Sequence, residues 1–163
     1  MSTKSTLIHS TFADTLNIRH PILLAGMAVV SNAKLASAVS NAGGLGVIGA
    51  GYPNPSPLRL RDMISELQSL LDDPTNFGVD LLIPQVGGNA RKTNYDYTKG
   101  KLPEMIDIIC ASKCKLFVCA VGVPPSWMVD KLHAAGVLVM NMAGSPKHVP
   151  KALAAGVDAI CAQ

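Results

Sequence analysis

Residues 41–51 read N-A-G-G-L-G-V-I-G-A-G, and the reading of this stretch decides the fold. It contains a literal G-x-G-x-x-G at Gly44, Gly46 and Gly49. That pattern marks a dinucleotide-phosphate loop when it follows a strand and opens a helix. Here the order is reversed. Leu35, Ala38, Val39 and Ala42 recur at helical spacing before the glycines. Leu45, Gly46, Val47 and Ile48 then read as a short apolar strand among them. The stretch is a helix end capped by glycine, running at once into a buried strand.

The same device occurs twice more, as A-A-G-V-L at 134–138 and A-A-G-V-D at 154–158. Repetition of this kind settles architecture before single motifs do. Working outward, strands are expected at 22–27, 45–48, 77–83, 115–121, 137–142 and 157–162. Helices are expected at 33–42, 58–71, 102–111, 124–135 and 146–155, each with an apolar stripe or a cap. Ser31 or Asn32 can cap the first helix, and Ser56 followed by Pro57 the second. Six βα units give an α/β fold, either a partial (β/α)8 TIM barrel or an open doubly wound sheet. Residues 1–19 read as a polar leader with one apolar patch at Leu7 and Ile8, and 20–163 as the incomplete barrel domain.

Composition narrows the function classes. Hydrophobic residues make up 48% and aromatics only 4%, a balance that suits aliphatic strands buried under helices. The net charge of +3 comes from scattered Lys and Arg with no basic and aromatic stripe, so nucleic acid is not an expected partner. Cys110, Cys114, Cys119 and Cys161 contain no C-x-x-C and have no His at ligand spacing, which argues against zinc and for a reducing compartment. The first residues lack the apolar core of a signal peptide, and no apolar run approaches membrane-spanning length. A cytoplasmic setting is expected.

In such folds chemistry sits at the carboxyl ends of the strands. Those ends here are built from Gly and Ala, with Met27, Pro84, Gln85, Asn141 and Gln163 among them. Small residues let a flat ring or a phosphate approach the backbone, though they also suffice for tight turns. Asp80 interrupts an apolar strand, and a carboxylate there must face a polar cavity or pair with a cation. The polar run 84–100 offers Gln85, Asn89, Arg91 and Lys92 as ligand contacts or as a solvated loop. His9, His20, His133 and His148 fall at no strand end, so none reads as a catalytic base.

Two segments carry a resemblance. H-P-I-L-L-A-G-M at 20–27 and L-A-S-A-V-S-N-A-G-G-L-G at 35–46 resemble the amino-terminal part of the nitronate monooxygenase (2-nitropropane dioxygenase) family. A-A-G-V-D-A-I-C-A-Q at 154–163 is similar to its sixth barrel strand, and residues 87–100 to a loop of one of its branches. The resemblance implies a TIM barrel holding FMN without a covalent bond, and oxidation of alkyl nitronates with O2. It carries cofactor positions to Ala25, Gly26 and Met27, to Gln163, and to Asp80, where many members have Asn. A strand-five lysine of many members has no counterpart in 137–140. The family's catalytic histidine lies beyond Gln163, so no catalytic residue is assigned, and an incomplete barrel with impaired turnover is expected. The rival readings are another flavin barrel, such as an enoyl reductase, and a catalytically dead barrel fragment.

Overall fold

The computed structural model describes residues 10–50, 55–83 and 96–163. In chain order the elements are α1 (Thr11–Leu16), α2 (Ala33–Asn41), β1 (Gly46–Gly49), α3 (Pro57–Leu70), β2 (Phe77–Leu82), α4 (Leu102–Ser112), β3 (Leu116–Ala120), α5 (Ser126–Ala134), β4 (Leu138–Ala143), α6 (Val149–Ala154) and β5 (Ala159–Ala162). A 3₁₀ turn, Pro146–His148, precedes α6. The five strands form one parallel sheet in the order β1-β2-β3-β4-β5. Every pairing is between consecutive strands, each joined to the next through at least one helix.

Alternation along the strands divides the sheet into two faces. Ile48, Phe77, Val79, Leu81, Phe117, Cys119 and Val139 point outward and pack with Leu60, Ile64, Leu67, Met105, Ile109, Met128 and Leu132 of the covering helices. Leu45, Val47, Leu116, Val118 and Met140 point inward with Leu16 of α1. Helix α1 therefore plugs the amino end of the interior. Lys115 Nζ pins it there by donating to the carbonyl of Asn17 at 3.1 Å and to Asn76 Oδ1 at 2.9 Å.

The glycine-led seams form as expected. Gly43, Gly136 and Gly156 all take positive φ, at 102°, 76° and 90°. Asn32 caps α2 by accepting from the Leu35 amide, and Ser56 caps α3 by accepting from Arg59. The three glycine caps differ in their surroundings. A methyl group at Gly136 would meet nothing within 4 Å, whereas one at Gly43 would lie 2.5 Å from Arg19 Nε. The Arg19 guanidinium also donates to the Ala42 carbonyl at 2.8 Å. Gly136→Ala is thus expected to cost about 1 kcal/mol, the left-handed backbone term alone. Gly43→Ala is expected to cost about 2–3 kcal/mol, because the arginine must also give up its hydrogen bond. Urea unfolding of the two variants checks the difference, and equal midpoints would refute it.

Two expectations need correction. The sequence suggests a buried first strand at 22–27, giving six strands. The structure has a five-stranded sheet to which residues 22–28 join only through isolated parallel bridges, Leu23 to Leu45 and Ala28 to Gly49. Two backbone bonds form, from Leu24 to Leu45 and from Leu45 to Ile22, before the chain turns at Ala25, whose carbonyl accepts the Met27 amide. Ile22 is 62% exposed, since among the described residues no further strand covers that edge. The fifth predicted helix is also divided. Pro150 has no amide to continue the ladder from the 3₁₀ turn, so α6 starts afresh around it. Leu7, Ile8, His9, Gly51, Pro84, Gln85, Asn89, Arg91 and Lys92 lie outside the described residues.

Candidate functional site

At the carboxyl end of the sheet, the turn after residues 22–24 crosses over β1 and β2. A single hydroxyl organises it. Ser31, 1% exposed, donates to the Ala25 carbonyl at 2.5 Å and accepts the Met27 amide at 3.1 Å. The Ser31 amide in turn donates to the Met27 carbonyl at 2.9 Å. These bonds hold Ala25, Gly26 and Met27 in a tight arch. Two glycines let the arch approach the sheet. A methyl group at Gly49 would lie 2.7 Å from the Met27 carbonyl, and one at Gly26 would lie 2.7 Å from Asp80 Cγ and Oδ2. Gly26 and Asp80, far apart in sequence, are thus in direct contact.

Asp80 is 6% exposed and stands in β2 opposite Gly49 on one side and Val118 on the other. Its place in the alternation turns the side chain inward, away from the helix-facing residues Val79 and Leu81. Its carboxyl has no hydrogen-bonding or ionic partner among the described residues. Burial alone pushes its pKa up to about 7. The sequence suggests a polar cavity or a cation partner for Asp80; among the described residues the structure shows neither, and the carboxyl turns into an apolar interior.

Gln163 follows β5 and reaches the same end of the sheet, where its amide donates to the Ala143 carbonyl at 3.1 Å. It is exposed and stands three strands away from Asp80. The structure therefore joins Ala25, Gly26, Met27 and Asp80 in one cluster and leaves Gln163 on the opposite flank of the same end. His133 binds Asp158 instead of facing this end, with Nε2 and Oδ2 2.8 Å apart. Asp158 Oδ2 also accepts the Val139 amide at 2.7 Å. A shallow cleft lined by Thr11, Phe12, Leu116 and Asp158 lies at the amino end beside α1, remote from the cluster.

Three features have roles that the sequence alone does not reveal. By sequence Ser31 is only a possible helix cap. Asn141, 2% exposed, donates to the carbonyls of Cys119 at 3.0 Å and Gly122 at 2.8 Å, fixing the turn after β3. A polar residue within an apolar strand was its signal, as it was for Asp80. Val29 and Val121 both take positive φ, at 65° and 77°, just past the carboxyl ends of their strand segments. Branched residues seldom adopt that conformation, and such strain gathers near functional sites. Nothing in the local sequence signals it.

Among the described residues no group of three His, Cys, Asp or Glu side chains could hold a metal ion. No helix there is long and apolar enough to cross a membrane. A parallel sheet with helices on one face and a packed interior on the other is part of a (β/α) barrel, of class α/β.

The sequence model of the nitronate monooxygenase family matches residues 9–163, and the chain belongs to that family. A probable nitronate monooxygenase of Staphylococcus aureus (strain Newman) is 29% identical over 91% of this chain and 46% of its own length. The solved structure of FabK from Thermotoga maritima superposes with a TM-score of 0.77 at 31% identity, over 95% of this chain and 44% of that one. A nitroalkane oxidase from Streptomyces ansochromogenes gives a TM-score of 0.78 at 26% identity, over 94% of this chain and 48% of that one. The chain spans about half the length of the relatives that it matches.

Proposed function

We propose that this chain forms the ring-binding part of an FMN-dependent oxidoreductase that oxidises alkyl nitronates with O2. The observation that carries the reading is the contact between the 25–27 arch and Asp80 at the carboxyl end of the sheet. The residues suit a flavin ring. Backbone held in place by Ser31 offers small side chains along one edge, as a planar ligand requires. Asp80 adds one polar group in an otherwise apolar interior. Ala25, Gly26, Met27 and Asp80 would hold the ring from one side and Gln163 from the other. A bound flavin would supply the electron acceptor for the nitronate and the donor for O2. The chain's own part is to orient the ring and to keep water from its buried edge. Among the described residues no side chain at this end reads as the catalytic base.

The four free thiols are consistent with a reducing, cytoplasmic setting. The proposed barrel domain at 20–163 belongs to the same reading, with α1 of the polar leader 1–19 packed into its interior. The rival flavin-barrel reading, an enoyl reductase, would use the same ring site for a second activity, reduction of an enoyl thioester. The purified chain should carry flavin absorbance and bleach when a nitronate is added without O2. Bleaching by a reduced nicotinamide with enoyl-thioester turnover would favour the second activity. A colourless protein that takes up no added FMN would refute both.

A further inference from the structure

Asp80 has an unusual combination of neighbours. Beside it in register, Gly49 has no side chain, and Gly26 lies directly against its carboxyl. The carboxyl is therefore open to the interior of the barrel and to little else. Among the described residues, the inward-facing groups of the packed strands are apolar. From β1 they are Leu45, Val47 and Gly49, from β3 Val118, and from β4 Met140 and Met142. The turn at 25–31 brings only the Ser31 hydroxyl, already engaged twice. The titratable neighbour among the described residues is Cys119, which points to the helix side and whose thiol burial keeps protonated, with Asp80 adding to the effect. No Lys, Arg or His among the described residues balances a charge at Asp80.

We infer that Asp80 makes ligand capture proton-linked: the site takes FMN while Asp80 holds a proton that it donates in a hydrogen bond to the ring, and rejects FMN once that proton is lost. This rests on the flavin reading given above. The physical reason is that no described residue supplies a counter-charge. A neutral carboxyl in an apolar wall can donate to an acceptor atom of the ring. An ionised one can only accept, and it sets a buried negative charge against ring acceptors and an anionic ligand. An amide at the same place would donate at every pH. The acid thus provides the same contact with a pH limit.

The test uses the intact chain, with FMN and with riboflavin as probes, by fluorescence quenching between pH 6 and 8.5. A carboxyl titrating near 7 predicts that affinity falls about 30-fold across this range, as the competent fraction falls. Riboflavin lacks the phosphate and should show the same fall. Asp80→Asn should bind both with nearly constant affinity. Calorimetry on the unaltered protein at pH 8, in two buffers of different ionisation heat, should show uptake of close to one proton per FMN. This arm needs no variant. Flavin binding that is flat with pH and takes up no proton would overturn proton linkage while leaving the flavin reading intact. Failure to bind either probe at any pH would overturn both.

Discussion

Asp80→Asn should remove a fall in folding stability that the unaltered protein shows as pH rises from about 4 to 7. The folded carboxyl titrates near 7, well above its ordinary 3.8. Below pH 4 it is protonated in both folded and unfolded chains and adds no pH dependence. Between about 4 and 7 the unfolded chain releases the proton and the folded chain does not, so each step up in pH favours unfolding. Above 7 the loss is complete and levels off. At about 1.4 kcal/mol per pH unit, the full loss is about 4 kcal/mol. The asparagine variant should match the parent near pH 4 and exceed it by up to this amount at pH 8. Asp73, held below its usual range by the Thr75 amide and hydroxyl, has the opposite sign but acts below this window. Urea midpoints at half-unit intervals would show the gap opening, and parallel curves would refute it. Added salt should leave the gap in place, since burial and not a neighbouring charge creates it.

Gly46→Ala should destabilise the fold by about 3 kcal/mol, the upper range for overpacking. The methyl group would fall 2.7 Å from the α-carbon of Ala36, and closer still to its carbonyl. The obstacle is backbone in the middle of α2, so no side-chain rotation relieves it. Helix α2 would have to lift from β1. The Gly46 amide would then lose its buried 2.8 Å bond to the Ser40 hydroxyl. Gly100→Ala is the matching control for a glycine in open space, where a methyl group meets nothing within 4 Å and only the backbone term at φ 78° remains. Thermal unfolding that places the two variants within about 1 kcal/mol of each other would refute this account of α2 packing.

These two residues also mark how much of the fold is legible in the sequence. Gly46 belongs to a helix–glycine–strand seam, and the reversed order of elements was enough to reject a phosphate loop. The seams are local, and so their strands, caps and chain order were legible. Asp80 is visible in the sequence as a polar interruption, while its inward direction is seen only in the folded sheet. Its contact with Gly26 was not visible, because it depends on how the arch folds over two strands. Ser31 illustrates the same limit. Its identity suited a cap, while its use was set by the carbonyl and amide that the turn brought to it. The first strand was misjudged for a related reason. Its composition is that of a buried strand, but two ladder bonds and a turn at Ala25 leave it a bridge at an uncovered edge.

The order of strands in the sheet is the order of strands in the chain. Each new strand therefore finds its partner already made, one helix earlier. Within the sheet no strand has to wait for a distant one, so strand pairing closes only short loops; α1, held by Lys115, is the segment that waits. The sheet can grow during synthesis as units leave the ribosome, with one open edge advancing toward the newest residue. A nascent chain stalled after β3 should already protect the β1–β2 amides from hydrogen exchange, and unprotected amides at that length would refute stepwise growth. The arch over Asp80 would then be in place before β4 and β5 exist, since all its parts are made by the end of β2.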